Sequence, residues 1–198
     1  RRPTDTLLCI QHCQWSGVKM DVADHVVLIT GASSGVGAAL ATQLGEMGAR
    51  VVVNYSRSAE AADAVVAQLE ETGGRALAVQ ADVSEGADCK RLVATTVEHF
   101  GQLDVLVNNA GTTTFIPHDQ LDALTEDIWL RTLRVNLIGA FMMSREAAPH
   151  IEAAGGGEIV MTSSIASMTA NGSSIAYCAS KAGMNSLTRT LAKTLGKM

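Results

Sequence analysis

The feature that most constrains the fold of this chain is a strand pattern that runs directly into a glycine-rich turn and then a helix. Residues 25–30 form a short, largely apolar run, as expected of a strand buried on both faces. The turn carries three glycines and the helix that follows carries an apolar stripe: Gly31, Gly35 and Gly37, then Leu40, Leu44 and Met47. This βα unit predicts a parallel sheet.

The same alternation continues along the chain. Further strands are predicted at residues 51–53, 76–80, 103–107 and 158–163, and further helices at 59–71, 85–100, about 121–151 and 174–196. Such alternation is typical of an α/β fold, here a Rossmann-like, doubly wound parallel sheet with helices on both faces. No linker-like segment divides the pattern, because Gly155–Gly157 fits a helix-to-strand connection.

Composition narrows the function classes. A chain of 198 residues with 47% hydrophobic content fits one domain, and a net charge of −5 argues against nucleic acid or an anionic membrane as a partner. No apolar run is long enough to cross a bilayer. Four cysteines without a paired framework indicate a reducing, cytoplasmic protein, and Cys9, His12 and Cys13 lack a second ligand pair, so no metal is expected.

Both ends of the chain depart from the pattern. Residues 1–19 are predicted to be an extension outside the fold, with Met20 as a natural start. At the other end, Leu187, Leu191 and Leu195 continue a helical stripe almost to Met198, and no terminating element follows. We therefore expect residues 20–198 to be one dinucleotide-binding domain that lacks its C-terminal strands.

The glycine turn predicts a phosphate site. Gly31, Gly35 and Gly37 allow the backbone to turn tightly and approach a pyrophosphate at the positive end of a helix. The spacing is G-x-x-x-G-x-G and departs from the common G-x-G-x-x-G pattern. An ordinary glycine-rich turn is the alternative.

The ends of the second and third strands bear on cofactor choice. Residues 54–57 contain no acid to bind the ribose hydroxyls of NAD, whereas Ser56 and Arg57 suit the 2′-phosphate of NADP. NADP is therefore favoured over NAD, with a solvated Arg57 as the alternative. Asp82 and Val83 follow the third strand, where Asp82 could meet the adenine, cap the next helix or do both.

Three further residues predict proton chemistry at a carbonyl group. Tyr177 and Lys181 are four residues apart, so on a helix they share one face, and the ammonium would stabilise the phenolate. Ser164 follows the apolar run at residues 158–163, at a strand end where open α/β sheets place their sites. Taken alone, the Tyr–Lys pair also fits a solvated helix face.

Together these motifs resemble the short-chain dehydrogenase/reductase family, in particular its 3-oxoacyl-carrier-protein reductases, from about residue 21 to residue 197. The resemblance rests on Thr30–Gly37, Asp82–Val83, Asn108–Gly111, Asn136 and the Tyr177–Lys181 pair. It implies a catalytic tetrad: Asn136, Ser164, Tyr177 and Lys181. In it, Tyr177 would donate the proton, Ser164 would orient the carbonyl, and Asn136 would hold a water.

The resemblance also implies a set of cofactor-binding residues. They are Gly31, Ser33, Ser34, Gly35, Val36, Gly37, Asn54, Ser56, Arg57, Asp82, Val83, Asn109, Ala110, Gly111, Tyr177 and Lys181. The implied reaction is hydride transfer between NADP and a ketone or secondary alcohol, with a 3-oxoacyl thioester as one candidate substrate.

Alternatives to this function are an NAD-dependent alcohol dehydrogenase and an inactive cofactor-binding or truncated product. The resemblance implies a homodimer or homotetramer. Helix packing within the subunit explains the small residues Ala179, Ala182 and Gly183 equally well.

Overall fold

The computed structural model of the chain describes residues 22–196. The predicted extension at residues 1–19, with Cys9, His12 and Cys13, lies outside the described residues.

In the described part of the chain, five parallel strands form the sheet, in the spatial order β3-β2-β1-β4-β5. The strands are β1 (Val26–Ile29), β2 (Arg50–Tyr55), β3 (Arg75–Gln80), β4 (Val105–Asn108) and β5 (Glu158–Met161). In the centre of the sheet, Val27 pairs with Val51 of β2 and Val105 of β4. The order reverses at β1, as in a doubly wound sheet, so the predicted fold class is confirmed.

Seven α-helices are described in residues 22–196. They are α1 (Gly35–Glu46), α2 (Ala59–Glu71), α3 (Gly86–Phe100), α4 (Glu126–Leu133), α5 (Ala140–Ala153), α6 (Ala166–Thr169) and α7 (Ile175–Leu195). A 3₁₀ turn (Leu121–Ala123) precedes α4, and a π-helical segment (Arg134–Gly139) joins α4 to α5. None of these helices combines the length and apolarity needed to cross a membrane.

The core lies on both faces of the sheet, because successive strand residues point to opposite sides. Val26 and Leu28 of β1 belong to a cluster with side chains of α3 and α5. Val27 and Ile29 belong to a second cluster with side chains of α1 and α2. All four are almost completely buried, which explains the continuously apolar sequence of β1.

The predicted face of α1 is correct only in part. Leu40 and Leu44 are half-buried at the edge of the core, whereas Met47 is 55% exposed. The innermost positions are instead small, with Gly45 among them, and a Cβ at Gly45 would overlap the side chain of Leu69 in α2. Small residues let α1 approach α2 and the sheet closely, so the largest residues of the stripe do not mark its buried face.

The single helix predicted over about residues 121–151 is wrong in its continuity. The structure divides it into the 3₁₀ turn, α4, the π segment and α5, and the short α6 is an element that the sequence pattern did not indicate. The π segment contains the buried polar residue Asn136.

Candidate active site

A cleft of about 640 Å³ opens at the carboxyl ends of the strands. Of the predicted cofactor residues it is lined by Gly31, Ser33, Ser34, Asn54, Ser56, Arg57, Asp82, Val83, Asn109, Ala110 and Gly111. The topology therefore brings together residues from four separate loops. The crevice beside the strand-order reversal is where open α/β sheets bind ligands.

The glycine turn is held in a conformation that requires glycine at two positions. Gly31 and Gly35 have φ of +63° and +57°, in the left-handed region. Gly37 is buried beneath the turn, where a Cβ would lie 2.6 Å from the Gly31 carbonyl oxygen and 2.6 Å from Asn109 Nδ2. Neighbouring Val36 is 70% exposed. Neither Gly37 nor Val36 lines the cleft, so Gly37 shapes the turn from below.

Asn109 and Thr30 fix the turn to the end of β4. Asn109 Nδ2 donates to the carbonyl oxygens of Thr30 and Gly31 at 3.0 and 3.1 Å. Thr30 Oγ1 accepts the backbone N–H groups of Asn109 and Ala110, both at 3.0 Å. These bonds leave little freedom for the backbone that faces the cleft.

Asn54 supports the cleft from the end of β2. Its Oδ1 accepts the Gly31 N–H at 3.1 Å, while Nδ2 donates to the carbonyl oxygens of Val79 and Ala81 at 3.2 and 3.1 Å. The side-chain amide is thus occupied within the protein. Its geometry suits positioning of the glycine turn more than direct contact with a cofactor.

Asp82 does not cap the following helix. Its Oδ1 accepts both the N–H and the hydroxyl of Ser84 at 2.9 and 2.7 Å, whereas α3 begins at Gly86. The N–H of Asp82 instead donates to Asp88 at 2.8 Å, and this bond together with Arg91 holds the pKa of the Asp88 carboxyl below its ordinary value. The capping alternative is therefore wrong, and Asp82 shapes a tight turn at the cleft wall.

Lys181 lies against the cleft with its ammonium buried. Its Nζ donates to the carbonyl oxygen of Thr162 at 2.6 Å and lies 5.9 Å from the ring centroid of Tyr177. A Cβ at Gly111 would lie 3.9 Å from this Nζ, so the ammonium borders a residue that lines the cleft. Burial lowers the pKa of Lys181 from its ordinary value.

Asn136 is completely buried in the π segment. Its Oδ1 accepts the Thr112 N–H at 2.7 Å, and its Nδ2 donates to the Thr112 carbonyl at 2.9 Å and to Ser180 Oγ at 3.0 Å. Ser180 in turn donates to the Tyr177 carbonyl at 2.7 Å. Asn136 thereby connects the loop after β4 to the turn of α7 that carries Tyr177 and Lys181.

Ser164 lies in the turn between β5 and α6. Its Oγ accepts the Ala166 N–H at 3.2 Å, and no acceptor for its own O–H is found within residues 22–196. The turn is tied to α7 through Asn185, which accepts from Ser163 Oγ at 2.6 Å and donates to Ser167 Oγ at 2.7 Å. Ser167 Oγ donates onward to the Ser164 carbonyl at 2.6 Å.

The sequence did not indicate several residues around the site. Arg131 and Arg134 line the cleft together with Thr112, and Asn185 anchors the Ser164 turn. Their roles depend on how α4 and α7 pack against the sheet, so no local pattern could reveal them. The small residue Gly183 packs within the subunit, since a Cβ there would lie 3.0 Å from Leu137.

A second groove, of about 660 Å³, lies beside β5 between α5 and α7. It is lined by apolar side chains that include Ile151, Ile159 and Leu191, and none of the four predicted catalytic residues contributes to it. Among the described strands β5 pairs only with β4, so this groove follows the free edge of the sheet. The lining of the first cleft does not include these four residues either, but Lys181 and Asn136 lie beside its Gly111.

The two described cysteines are buried and unpaired. Cys89 donates its thiol to the Val83 carbonyl at 3.3 Å, and burial raises its pKa to about 11. A Cβ at Gly172 would lie 3.0 Å from the sulfur of Cys178. Both surroundings are those of packing residues.

Comparison with known proteins gives consistent matches. A family model described as short chain dehydrogenase matches residues 25–198. The granaticin polyketide synthase putative ketoacyl reductase 2 of Streptomyces violaceoruber is 48% identical over 171 residues, which cover 86% of this chain and 67% of that protein. A 3-oxoacyl-[acyl-carrier-protein] reductase of Synechocystis is 41% identical over 173 residues, which cover 86% of this chain and 68% of that protein. The chain spans about two thirds of the length of these relatives.

Solved structures agree in fold. A putative short-chain dehydrogenase/reductase from Burkholderia xenovorans has a TM-score of 0.84 at 37% identity and covers 87% of this chain and 72% of its own. A metagenomic short-chain oxidoreductase in complex with NADP has a TM-score of 0.82 at 34% identity, and the match covers 89% of this chain and 78% of that protein. The NADH-dependent reductase A1-R′ complexed with NAD has a TM-score of 0.82 at 32% identity, and the match covers 89% of this chain and 75% of that protein.

Proposed function

Because this chain belongs to the short-chain dehydrogenase family, we propose that the protein transfers hydride between NADP and a ketone or secondary alcohol. Residues 20–198 would form the dinucleotide-binding domain of a cytoplasmic homo-oligomer. The names of two relatives, a ketoacyl reductase and a 3-oxoacyl-carrier-protein reductase, favour a 3-oxoacyl thioester or a related ketone as substrate.

One observation carries the proposal: the ammonium of Lys181 and the side chain of Asn136 both lie against Gly111 of the cleft. A Cβ at Gly111 would be 3.9 Å from Lys181 Nζ and 3.6 Å from Asn136 Oδ1. Tyr177 stands one turn before Lys181 on α7. Two of the four candidate catalytic residues therefore lie beside the wall of the cleft.

Two features of the cleft favour a dinucleotide as its ligand. Its volume of about 640 Å³ falls within the usual range for small-molecule sites. Ser34, at the start of α1, makes no capping bond with its side chain, and the first turn of α1 has no acidic residue, so this helix end suits a pyrophosphate. The nicotinamide, when bound, supplies or accepts the hydride.

The residues of this chain would handle the proton and the carbonyl oxygen. Tyr177 donates its phenolic proton to that oxygen during reduction, and the ammonium of Lys181 favours the resulting phenolate by charge. Ser164 is suited to orient the carbonyl, because its O–H has no acceptor among the described residues. The water-holding role of Asn136 stays a prediction.

The choice of NADP is supported by charge at the end of β2. Arg57 forms no ion pair in residues 22–196, and the carboxylate of Asp82 is bonded to Ser84. An NAD-dependent alcohol dehydrogenase is the second candidate, because a solved relative of the same fold is titled as complexed with NAD. Arg57→Gln should weaken NADPH far more than NADH, and equal losses would contradict the choice.

The reaction is tested by NADPH oxidation with a panel of ketones, 3-oxoacyl thioesters included. Tyr177→Phe should abolish turnover while the variant still binds NADPH in a fluorescence titration. Thr190→Val is the matched control, since it removes an exposed hydroxyl from the same helix. Undiminished turnover by Tyr177→Phe would refute the role of Tyr177, and binding without turnover across the panel would favour an inactive cofactor-binding protein.

A further inference from the structure

We propose that Arg131 and Arg134 form a second cationic wall of the cofactor cleft, which selects the phosphorylated adenosine of NADP over that of NAD. The inference rests on the proposed function and extends it. Arg57 comes from the loop after β2, whereas this pair comes from α4 and the π segment, so the two sources of charge belong to separate elements.

Packing brings the pair into the same cleft as the residues predicted to meet the adenosine. Arg131 lies in the last turn of α4 and Arg134 begins the π segment, and both line the same cleft as Arg57 and Asp82. Gly139 ends the π segment against the Asp82 loop, where a Cβ would lie 2.7 Å from the Val83 carbonyl oxygen. That close contact holds the π segment against the loop.

The cleft is cationic in an acidic chain. Its charged side chains are three guanidinium groups and the single carboxylate of Asp82, whereas the whole chain has a net charge of −5. None of the three arginines pairs with a carboxylate within residues 22–196. Asp82 is already hydrogen-bonded to Ser84. A concentration of unpaired positive charge attracts an anionic ligand.

The spacing of the pair also favours an anion. Arg131 and Arg134 are three residues apart, where like charges on a helix repel each other. The acidic residues of α4, Glu126 and Asp127, lie in its first turn and form no ion pair with either arginine in the described chain. A phosphate between or beside the guanidinium groups removes this repulsion, and guanidinium suits phosphate through bidentate hydrogen bonds.

The test compares cofactor affinities of the full 198-residue chain by fluorescence titration. Arg131→Gln/Arg134→Gln should weaken NADPH about tenfold or more and NADH much less, because Coulomb's law across several ångströms of hydrated cleft gives about fourfold per arginine against a phosphate monoester. The control is Arg145→Gln/Arg189→Gln, which removes the same net charge from α5 and α7, outside the cleft. High salt should reduce the difference between the unaltered chain and the variant.

An NADPH-to-NADH affinity ratio that is the same in both double variants would overturn the inference. If the unaltered chain fails to bind NADPH, the inference and the proposed function fall together. If it binds NADPH but reduces no ketone, only the proposed reaction fails, and the ratio still decides the role of the arginine pair.

Discussion

Gly37 offers a sharp test of how the cofactor turn is built. A Cβ at this position would lie 2.6 Å from the Gly31 carbonyl oxygen, 2.6 Å from Asn109 Nδ2 and 2.9 Å from Ala32 Cα. Two of these atoms are backbone, and the third belongs to a side chain that is hydrogen-bonded to the turn. None can yield without moving the turn, so we predict that Gly37→Ala destabilises the chain.

The magnitude follows from two opposing effects. Overpacking of a rigid site costs about 1–3 kcal/mol, and contact with backbone on two sides places Gly37→Ala near the upper end. Alanine regains about 1 kcal/mol of helix propensity in α1. The net loss is about 2 kcal/mol, which for a domain of this size lowers Tm by about 4–8 °C.

Thermal unfolding and NADPH titration measure the two consequences. Gly86→Ala is the matched control, since it also adds a methyl group near a helix start, but its Cβ would meet Met142 Sδ at an ordinary 3.5 Å. The control should keep NADPH affinity and should keep or slightly raise Tm, because alanine gains helix propensity there without a clash, whereas Gly37→Ala should lower both. A Gly37→Ala chain as stable as the control would show that the turn tolerates a side chain, contrary to the packing described.

Three further predictions concern the tetrad and its supports. Burial lowers the pKa of Lys181 below 10.5, so between the folded-state pKa and pH 10.5 the unfolded chain binds more protons than the folded chain, and the cost of the buried ammonium is relieved as pH rises through this window. Lys181→Met lacks that cost at every pH, so its stability relative to the unaltered chain should decline across the window in urea unfolding. A stability difference that stays constant with pH would contradict this. Asn136→Ala removes three hydrogen bonds and should lower the free energy of unfolding by about 2–4 kcal/mol, whereas Ser180→Ala should lower it by about 1 kcal/mol. Equal losses for the two variants in denaturant unfolding would count against the network. Asn185→Ala frees the turn that carries Ser164 and should lower kcat about 10-fold while NADPH affinity is kept; in a Ser164→Ala background it should have no further effect, and additive losses would refute the positioning role.

The strands and most helices were predictable because burial follows a local period. The limits predicted for α2 agree with the structure, since one face of that helix is buried with a helical period. The centre of β1 also agrees, since both faces of that strand are buried. The prediction that Tyr177 and Lys181 lie one turn apart on a helix rested on the same kind of local period, and α7 contains both. The buried face of α1 was not predictable, because close packing there uses Gly37 and Gly45 where the pattern favours large apolar residues.

Asn136 shows why other parts of the site were not readable from local patterns. Its hydrogen-bond partners are Thr112 and Ser180, which lie 24 and 44 residues away in the chain. Only the family resemblance drew attention to Asn136, and nothing local predicted a π-helical segment around it. Arg131 and Asn185 likewise acquire their surroundings from the packing of whole helices.

The π segment determines how the side chains of α4 are rotated about the helix axis relative to those of α5. A π turn contains about one residue more than an α turn, so the side chains before Arg134 are rotated by about 100° relative to those after Gly139, compared with an uninterrupted helix. This offset lets α4 present Arg131 to the cleft while α5 presents Met143 and Ala147 to the core. Deleting a single residue between these two parts would restore α-helical winding, and one of the two faces would then point in the wrong direction.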